Sequence, residues 1–201
     1  MNFLAHFHLA QATDASRVGA LLGDFVRGTP ESLLQSHPRE LVDGIVLHRA
    51  IDRFTDQHPV FLESKRLLDP SRRRFAGIII DIFFDHFLTQ LWSDYNRRSL
   101  RRFIAEIHET LDRRSAWLTP EVAAIIARMK KENWLGTYGT IPGLALTFAR
   151  VSQRRPFLAP LRGAEEDLIT HYQSFTNAFR AFYPEVMTFA QENPGGAFNS
   201  R

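Results

Sequence analysis

Hydrophobic residues recur along most of the chain at the spacing of an α-helix. Between Ser99 and Arg114, apolar side chains fall three or four positions apart, which makes one helical face apolar and the other charged. Alternation with a period of two lasts no more than a few residues, so strands are not needed to explain the pattern. The sequence therefore predicts an all-α fold.

Capping residues and helix breakers predict where these helices begin and end. A first helix is predicted to follow a cap at Thr13 or Asp14 and to stop at Gly28. A second should begin near Pro38 and end before Pro59. Further helices are predicted over residues 61–69, after Pro70 with Ser71 as the cap, from Ser99, from Thr119, over 144–155 and over 163–184.

The composition fits one globular domain, predicted to span residues 1–192, followed by a disordered tail at 193–201. The chain has 201 residues, of which 44% are hydrophobic and 23% are charged. It contains no cysteine, which excludes disulfides, thiolate metal sites and cysteine nucleophiles and is compatible with a reducing cytoplasm. The sequence contains no run of about 20 apolar residues, so no membrane span is predicted. The N-terminus does not resemble a secretory signal.

The most apolar predicted helix contains the segment IIIDIFFDHF, residues 78–87, which carries three polar groups. Asp81 and Asp85 are four residues apart and share a helical face, and His86 follows directly. An ionised carboxylate in apolar surroundings is costly unless it is paired or bound to a cation. Asp81 is therefore predicted to bind a metal ion or to pair with an arginine such as Arg49 or Arg53.

Carboxylate and imidazole groups fall on three predicted helices. Metal sites in helical bundles are built from such side chains where they project inward from neighbouring helices. Such ligands, without thiolate, suit Mn²⁺, Fe²⁺, Zn²⁺ or Mg²⁺. The His48 and Asp52 pair within HRAID, taken alone, is more typical of an ordinary surface or core hydrogen bond than of a metal site. The candidate ligands are Asp24 on the first helix, His48 and Asp52 on the second, and Asp81, Asp85 and His86 on the fourth.

Other catalytic patterns are missing from the sequence: there is no G-x-S-x-G elbow, Walker A loop or H-E-x-x-H helix. The glycines of GTYGTIPG favour a turn between helices over a phosphate-binding loop, because no predicted strand precedes them. All but three of the 25 basic residues are arginine, and the pI is about 9.6. The arginines suit an acidic partner or a solvated face, and they leave open a basic helical module without enzymatic activity. The densest group comprises Arg97, Arg98, Arg101 and Arg102.

Five segments resemble the bacterial acyl carrier protein phosphodiesterases in order and spacing, over nearly the whole chain. They are MNFLAHFHLA at the start, LLGDFVRG at 21–28, HRAID at 48–52, DIFFDHFL at 81–88 and RRP at 154–156. The resemblance implies hydrolysis of the phosphodiester that joins 4'-phosphopantetheine to a serine of holo-acyl carrier protein, with Mn²⁺ as the preferred cofactor. A related phosphohydrolase acting on another phosphodiester or a nucleotide is the alternative.

The resemblance further implies a helical bundle distantly related to the HD-type metallophosphohydrolases. In HD-type enzymes a histidine precedes an aspartate, whereas here Asp85 precedes His86. The metal ligands of HD-type enzymes can therefore not be assigned one by one to residues of this chain. The family's chemistry implies metal ligands at Asp24, His48, Asp52 and Asp81, with His6 nearby. Asp85 and His86 are expected to support these ligands or to act as acid or base, and Arg27 and Arg49 to contact the phosphate. The acidic carrier protein is expected to dock at Arg97, Arg98, Arg101 and Arg102.

Overall fold

The computed structural model describes residues 1–195 and contains no strand within them, which confirms the all-α prediction. Four short 3₁₀ segments separate some of the α-helices, at Lys65–Leu67, Arg73–Phe75, Ser115–Trp117 and Pro156–Leu161. None of the described helices combines the length and hydropathy needed to cross a bilayer. The α-helices are α1 (Phe3–Leu9), α2 (Asp14–Leu22), α3 (Pro30–Leu33), α4 (Arg39–Gln57), α5 (Pro59–Ser64), α6 (Ala76–Gln90), α7 (Trp92–Tyr95), α8 (Leu100–Arg113), α9 (Pro120–Lys131), α10 (Trp134–Thr137), α11 (Ile141–Ser152), α12 (Glu165–Thr170) and α13 (Tyr172–Glu192).

Several predicted helix boundaries are confirmed by their caps. The Thr13 side chain accepts a hydrogen bond from the Ser16 amide at 3.2 Å and starts α2. Ser99 caps α8 and Thr119 caps α9 in the same way. Helix α4 ends at Gln57, before Pro59, as the prolines predicted. Short polar side chains followed by apolar periodicity therefore fixed these helix starts correctly.

Other boundaries differ from the prediction. Helix α1 was not predicted, and the apolar helix α6 begins at Ala76, so Ser71 is not its cap. Helix α2 ends at Leu22, and the chain turns before Gly28, whose φ of 120° only glycine adopts readily. Helix α13 continues through Pro184 because the buried side chains on either side of it pack into the core. Part of the predicted tail, residues 196–201, lies outside the described residues.

Helix α6 occupies the centre of the core. Its side chains Phe83, Phe84 and Phe87 are buried. Phe83 packs edge-to-face against Phe175 of α13, with ring centroids 5.0 Å apart, and Phe84 contacts Phe179 at 5.6 Å. Because α6 is covered by aromatic neighbours, its polar residues need partners within the protein.

Helices α2 and α4 cross at glycines. A Cβ atom on Gly19 would lie 2.5 Å from the Leu41 carbonyl oxygen and 2.8 Å from the Cα of Gly44. Side chains at this crossing would therefore hold the two backbones apart. The close approach brings the polar residues of α4 next to the end of α2, where the candidate site forms.

Candidate metal centre

Three buried or half-buried side chains from α1 and α4 converge on one point. The Nε2 atoms of His6 and His48 lie near the two oxygens of Asp52, at 3.0 Å for His6 to Oδ1 and 3.1 Å for His48 to Oδ2. One ligand atom from each of the three residues lies within 4.8 Å of the others. The two imidazole rings stack with their centroids 3.7 Å apart. Two residues predicted as ligands, His48 and Asp52, are therefore brought together, and His6 joins them.

The backbone of α2 orients the His48 ring. Its Nδ1 lies 2.7 Å from the Ala20 carbonyl oxygen, which can only accept, so Nδ1 carries a proton and Nε2 faces Asp52. A Cβ atom on Gly23 would lie 2.2 Å from the ring, so glycine is needed there. Histidines that bind a metal through one ring nitrogen usually donate a hydrogen bond from the other nitrogen to a carbonyl or carboxylate oxygen, as His48 does.

His6 provides a direct test of whether the residues present fit a cation. Both of its ring nitrogens are buried, and neither makes a hydrogen bond to any of residues 1–195. Its Nε2 lies close to Asp52 but not in hydrogen-bond alignment. Buried polar atoms usually have partners, so this histidine is suited to ligate an ion. The nitrogen and carboxylate donors fit Mn²⁺, Fe²⁺, Zn²⁺ or Mg²⁺.

Asp24 and Asp81 flank the three central residues. Asp24 Oδ1 lies 3.5 Å from His48 Nε2, and its side chain is 48% exposed. The α-ammonium nitrogen of Met1 lies 3.1 Å from Asp81 Oδ1 and 3.3 Å from Asp52 Oδ1. The ammonium group therefore compensates Asp81 within the described residues. No arginine pairs with it there, and Arg49 instead donates to the carbonyls of Val26 and Gly28.

Burial and mutual charge shift the pKa values within this cluster. Burial, aided by the charge of His48, lowers the pKa of His6 to about 4. Burial also acts to lower the pKa of His48, but hydrogen bonds and charge from Asp24 and Asp52 raise it to about 9. Burial raises the pKa of Asp81 to about 6 against the opposing effect of the α-ammonium group. Because a metal binds the neutral imidazole, cation affinity should increase with pH.

Asp85 and His86 contact other parts of the fold. Asp85 accepts hydrogen bonds from the amides of Leu4 at 2.9 Å and Ala5 at 3.0 Å, and so caps the first turn of α1. His86 Nδ1 lies 2.7 Å from the Tyr138 carbonyl oxygen, and its Nε2 lies 3.0 Å from a tyrosine hydroxyl. Asp85 therefore positions the helix that carries His6, and both nitrogens of His86 have protein partners.

Replacing Asp85 by asparagine should change how stability depends on pH. Burial raises the pKa of Asp85 to about 7, although the amides of Leu4 and Ala5 favour its ionised form. The folded protein therefore binds this proton more tightly than the unfolded chain, so the group costs stability as pH rises from about 4 to about 7. The asparagine variant lacks this cost but leaves one amide poorly paired, at about 1–3 kcal/mol.

Urea unfolding of the wild type and of Asp85→Asn at pH 5 and pH 8 measures this effect. We expect the destabilisation caused by the substitution to shrink toward pH 8, by about 1.4 kcal/mol for each unit of pKa shift traversed. The exposed Asp94→Asn substitution is the control and should show no such trend. A destabilisation by Asp85→Asn that is equal at both pH values would contradict a protonated, buried Asp85.

The predicted arginine contacts are distributed over the surface. Arg27 is exposed, beyond the end of α2. Arg98 and Arg102 both pair with Glu106 on α8, at 2.6 and 3.3 Å. Glu106 also lies 3.8 Å from Arg17 near the start of α2, whereas Asp24 follows the end of that helix. The docking role of Arg97, Arg98, Arg101 and Arg102 and the phosphate-binding role of Arg27 and Arg49 stay predictions.

A pocket of about 370 Å³ borders the cluster at Met1, Asp24 and Asp81. The sequence did not identify the residues of the wall formed by α11, although Arg154 lies in the RRP segment at 154–156. The wall residues on α11 and just beyond its end recur at helical spacing, which would have identified the lining face. They are Thr147, Arg150, Val151 and Arg154.

The fold and the cluster together define an all-α protein with a candidate metal centre between its helices. The family model for acyl carrier protein phosphodiesterase matches residues 1–186. The chain belongs to the acyl carrier protein phosphodiesterase family.

Curated relatives match over nearly their full length. The acyl carrier protein phosphodiesterase of Enterobacter sp. (strain 638) is 37% identical over 192 residues, covering 95% of this chain and 98% of the relative. Those of Photorhabdus laumondii and Yersinia enterocolitica are each 35% identical, covering 95% and 96% of this chain and 96% and 98% of the relatives. No solved structure matches the chain, so the resemblance to HD-type enzymes stays a prediction.

Proposed function

We propose that this protein is a metal-dependent phosphodiesterase that hydrolyses the bond between 4'-phosphopantetheine and the serine of holo-acyl carrier protein. The products are apo-acyl carrier protein and free 4'-phosphopantetheine. The observation that carries the proposal is the convergence of His6, His48 and Asp52, in a chain of the acyl carrier protein phosphodiesterase family. The buried nitrogens of His6 make no hydrogen bond within the described residues, and the Nε2 contact with Asp52 at 3.0 Å is out of hydrogen-bond alignment, which favours a cation over a purely structural cluster.

His6, His48 and Asp52 would hold the cation, with Asp24 and Asp81 as further oxygen donors beside them. Mn²⁺ is the proposed ion, because the donor set suits it and the family resemblance implies it. A divalent cation polarises a phosphoryl oxygen and lowers the pKa of water. The His48 contact with the Ala20 carbonyl oxygen keeps the ring oriented for this role.

Asp24 is the proposed base. Its carboxylate lies beside His48, lines the pocket and stays partly exposed, so it can contact both water and substrate. Burial acts to raise the pKa of Asp24, but hydrogen bonding from His48 holds the pKa below its usual value and keeps the group ionised. In the proposed step Asp24 takes a proton from the attacking water, the phosphorus–serine oxygen bond breaks, and the proton passes to the serine oxygen.

We propose that the acidic carrier protein docks on basic residues at the surface of this protein. The proposed compartment is the cytoplasm, with which the absence of cysteine is compatible. Arg97 and Arg101 are exposed and make no ion pair within the described residues. Positive charge at such positions speeds encounter with an acidic partner and loses its effect in salt.

Incubation of holo-acyl carrier protein with the purified protein tests the proposal. After EDTA treatment and re-addition of Mn²⁺, mass spectrometry should show apo-acyl carrier protein, and the EDTA-treated sample without metal should show none. A parallel reaction with bis(p-nitrophenyl) phosphate tests general phosphodiesterase activity. Hydrolysis of the small diester with none of holo-acyl carrier protein would replace the proposed substrate, and equal activity without metal would overturn the metal dependence.

A further inference from the structure

The position of the scissile bond constrains where the substrate can lie. In holo-acyl carrier protein the phosphodiester joins the serine directly, so the bond to be broken is at the protein end of the prosthetic group. The carrier protein must therefore approach the cluster of His6, His48 and Asp52 from outside. The pantetheine arm, on the other side of the phosphorus atom, needs a separate space that begins at the same cluster.

The pocket beside Asp24 and Asp81 is such a space. Its volume of about 370 Å³ falls within the range of small-molecule sites, roughly 300–1,000 Å³. It extends from these carboxylates between α6 and α11. Asp24 and Asp81 thus place the groups proposed for phosphate chemistry in the lining of the pocket, and the other lining residues surround the space next to them.

The remaining walls combine apolar surface with two guanidinium groups. The apolar lining residues include Ile78 and Ile82 of α6, Val151 of α11 and Trp134. These side chains suit the branched alkyl part of pantetheine. Arg150 is engaged by Glu132 at 3.0 Å. Arg154 makes no ion pair within the described residues.

We propose that this pocket binds the pantetheine arm and that Arg154 contacts the phosphate of the same group. The proposal rests on the proposed function for the identity of the substrate. A guanidinium group matches phosphate oxygens through paired hydrogen bonds, and Arg154 is the pocket arginine whose charge is available for this. The apolar walls bind the arm and hold the phosphodiester against Asp24 and the histidines.

Calorimetric titration of the wild-type protein tests the pocket without catalysis. The three probes are D-pantetheine, 4'-phosphopantetheine and inorganic phosphate. We expect both pantetheine compounds to bind and to compete with holo-acyl carrier protein, with 4'-phosphopantetheine binding more tightly. Inorganic phosphate alone should bind at least about tenfold more weakly than 4'-phosphopantetheine, a gap of about 1.4 kcal/mol. Binding of phosphate with no binding of D-pantetheine would overturn the proposal.

Substituting tryptophan at two positions of α11, one inside the pocket and one outside it, provides a matched comparison of pocket blocking. Val151→Trp fills the pocket, whereas Leu146→Trp lies on the same helix at a side chain that is 45% exposed and outside the pocket. Val151→Trp should abolish D-pantetheine binding and reduce kcat/KM for holo-acyl carrier protein at least about 100-fold. Leu146→Trp should leave both unchanged. Mn²⁺ affinity should be the same in both variants.

Two further variants keep the test decisive if Val151→Trp fails to fold. Ile78 lines the pocket with 39% of its surface exposed, so Ile78→Trp is tolerated by the core and should also block D-pantetheine. Arg154→Gln should weaken 4'-phosphopantetheine at least about tenfold while leaving D-pantetheine unchanged. Equal weakening of both compounds would overturn the assignment of Arg154 to the phosphate.

The outcomes separate this proposal from the proposed function. If the wild type releases 4'-phosphopantetheine from holo-acyl carrier protein but Val151→Trp and Ile78→Trp do so equally well, the pocket proposal is wrong and the function stands. If the wild type is inactive on holo-acyl carrier protein yet binds D-pantetheine in a manner that Ile78→Trp removes, the pocket assignment stands and the function fails.

Discussion

We expect the Asp52→Asn variant to bind Mn²⁺ about 10-fold to 100-fold more weakly than the wild type. Its rate of holo-acyl carrier protein hydrolysis should fall at least about 1,000-fold, which corresponds to about 4 kcal/mol in activation free energy. Each carboxylate oxygen of Asp52 faces a different histidine, at 3.0 and 3.1 Å. Asparagine has nearly the same shape but exchanges one oxygen for an NH₂ group. The change removes the negative charge and one ligand atom while preserving the packing of α4.

Asp56→Asn is the matched control for this substitution. Asp56 lies one turn further along α4 and is exposed. It should retain wild-type Mn²⁺ affinity, measured by calorimetry after EDTA treatment, and wild-type activity, measured by mass spectrometry of the carrier protein. Circular dichroism should show equal helicity for both variants. An Asp52→Asn protein with more than a tenth of wild-type activity would show that the cluster is not where the reaction takes place.

The sequence predicted the parts of this site that lie on one long helix. His48 and Asp52 are four residues apart within an amphipathic helix whose capping and terminating residues are clear, so their shared face followed from helical geometry. Asp24 was predicted to lie on the first helix and to join them; in the structure it follows the end of α2 and lies 3.5 Å from His48 Nε2. Local periodicity is sufficient for the pair on α4, but the contact with Asp24 depends on the packing of α2 against α4.

Other parts of the site depend on long-range contacts that periodicity does not contain. Helix α1 has only seven residues, too short for a pattern that indicates helix, and it is held by Asp85 from α6. That contact explains both why Asp85 is buried and why His6 reaches Asp52. The compensation of Asp81 by the Met1 ammonium group likewise joins residues 80 positions apart. Sequence reasoning recognised that these carboxylates need partners but could not identify them.

The close crossing of α2 and α4 leads to the second large effect, which we expect from Gly19→Ala. The new Cβ atom would lie 2.5 Å from the Leu41 carbonyl oxygen, and a backbone atom cannot rotate away as a side chain can. The two helices must separate, at a cost of about 1–3 kcal/mol in the free energy of unfolding. The separation also lengthens the 2.7 Å contact between His48 and the Ala20 carbonyl oxygen.

Loss of that contact should weaken Mn²⁺ binding about 10-fold to 100-fold, because it orients the His48 ring. Gly77→Ala is the control: a Cβ atom there meets nothing within 4 Å, so we expect a gain of about 0.5–1 kcal/mol from the helix preference of alanine. Urea unfolding and calorimetric Mn²⁺ titration measure the two effects. If Gly19→Ala matched Gly77→Ala in both, the helix crossing would not be what holds the histidine in place. A loss of stability without a loss of affinity would show that His48 keeps its orientation independently of α2.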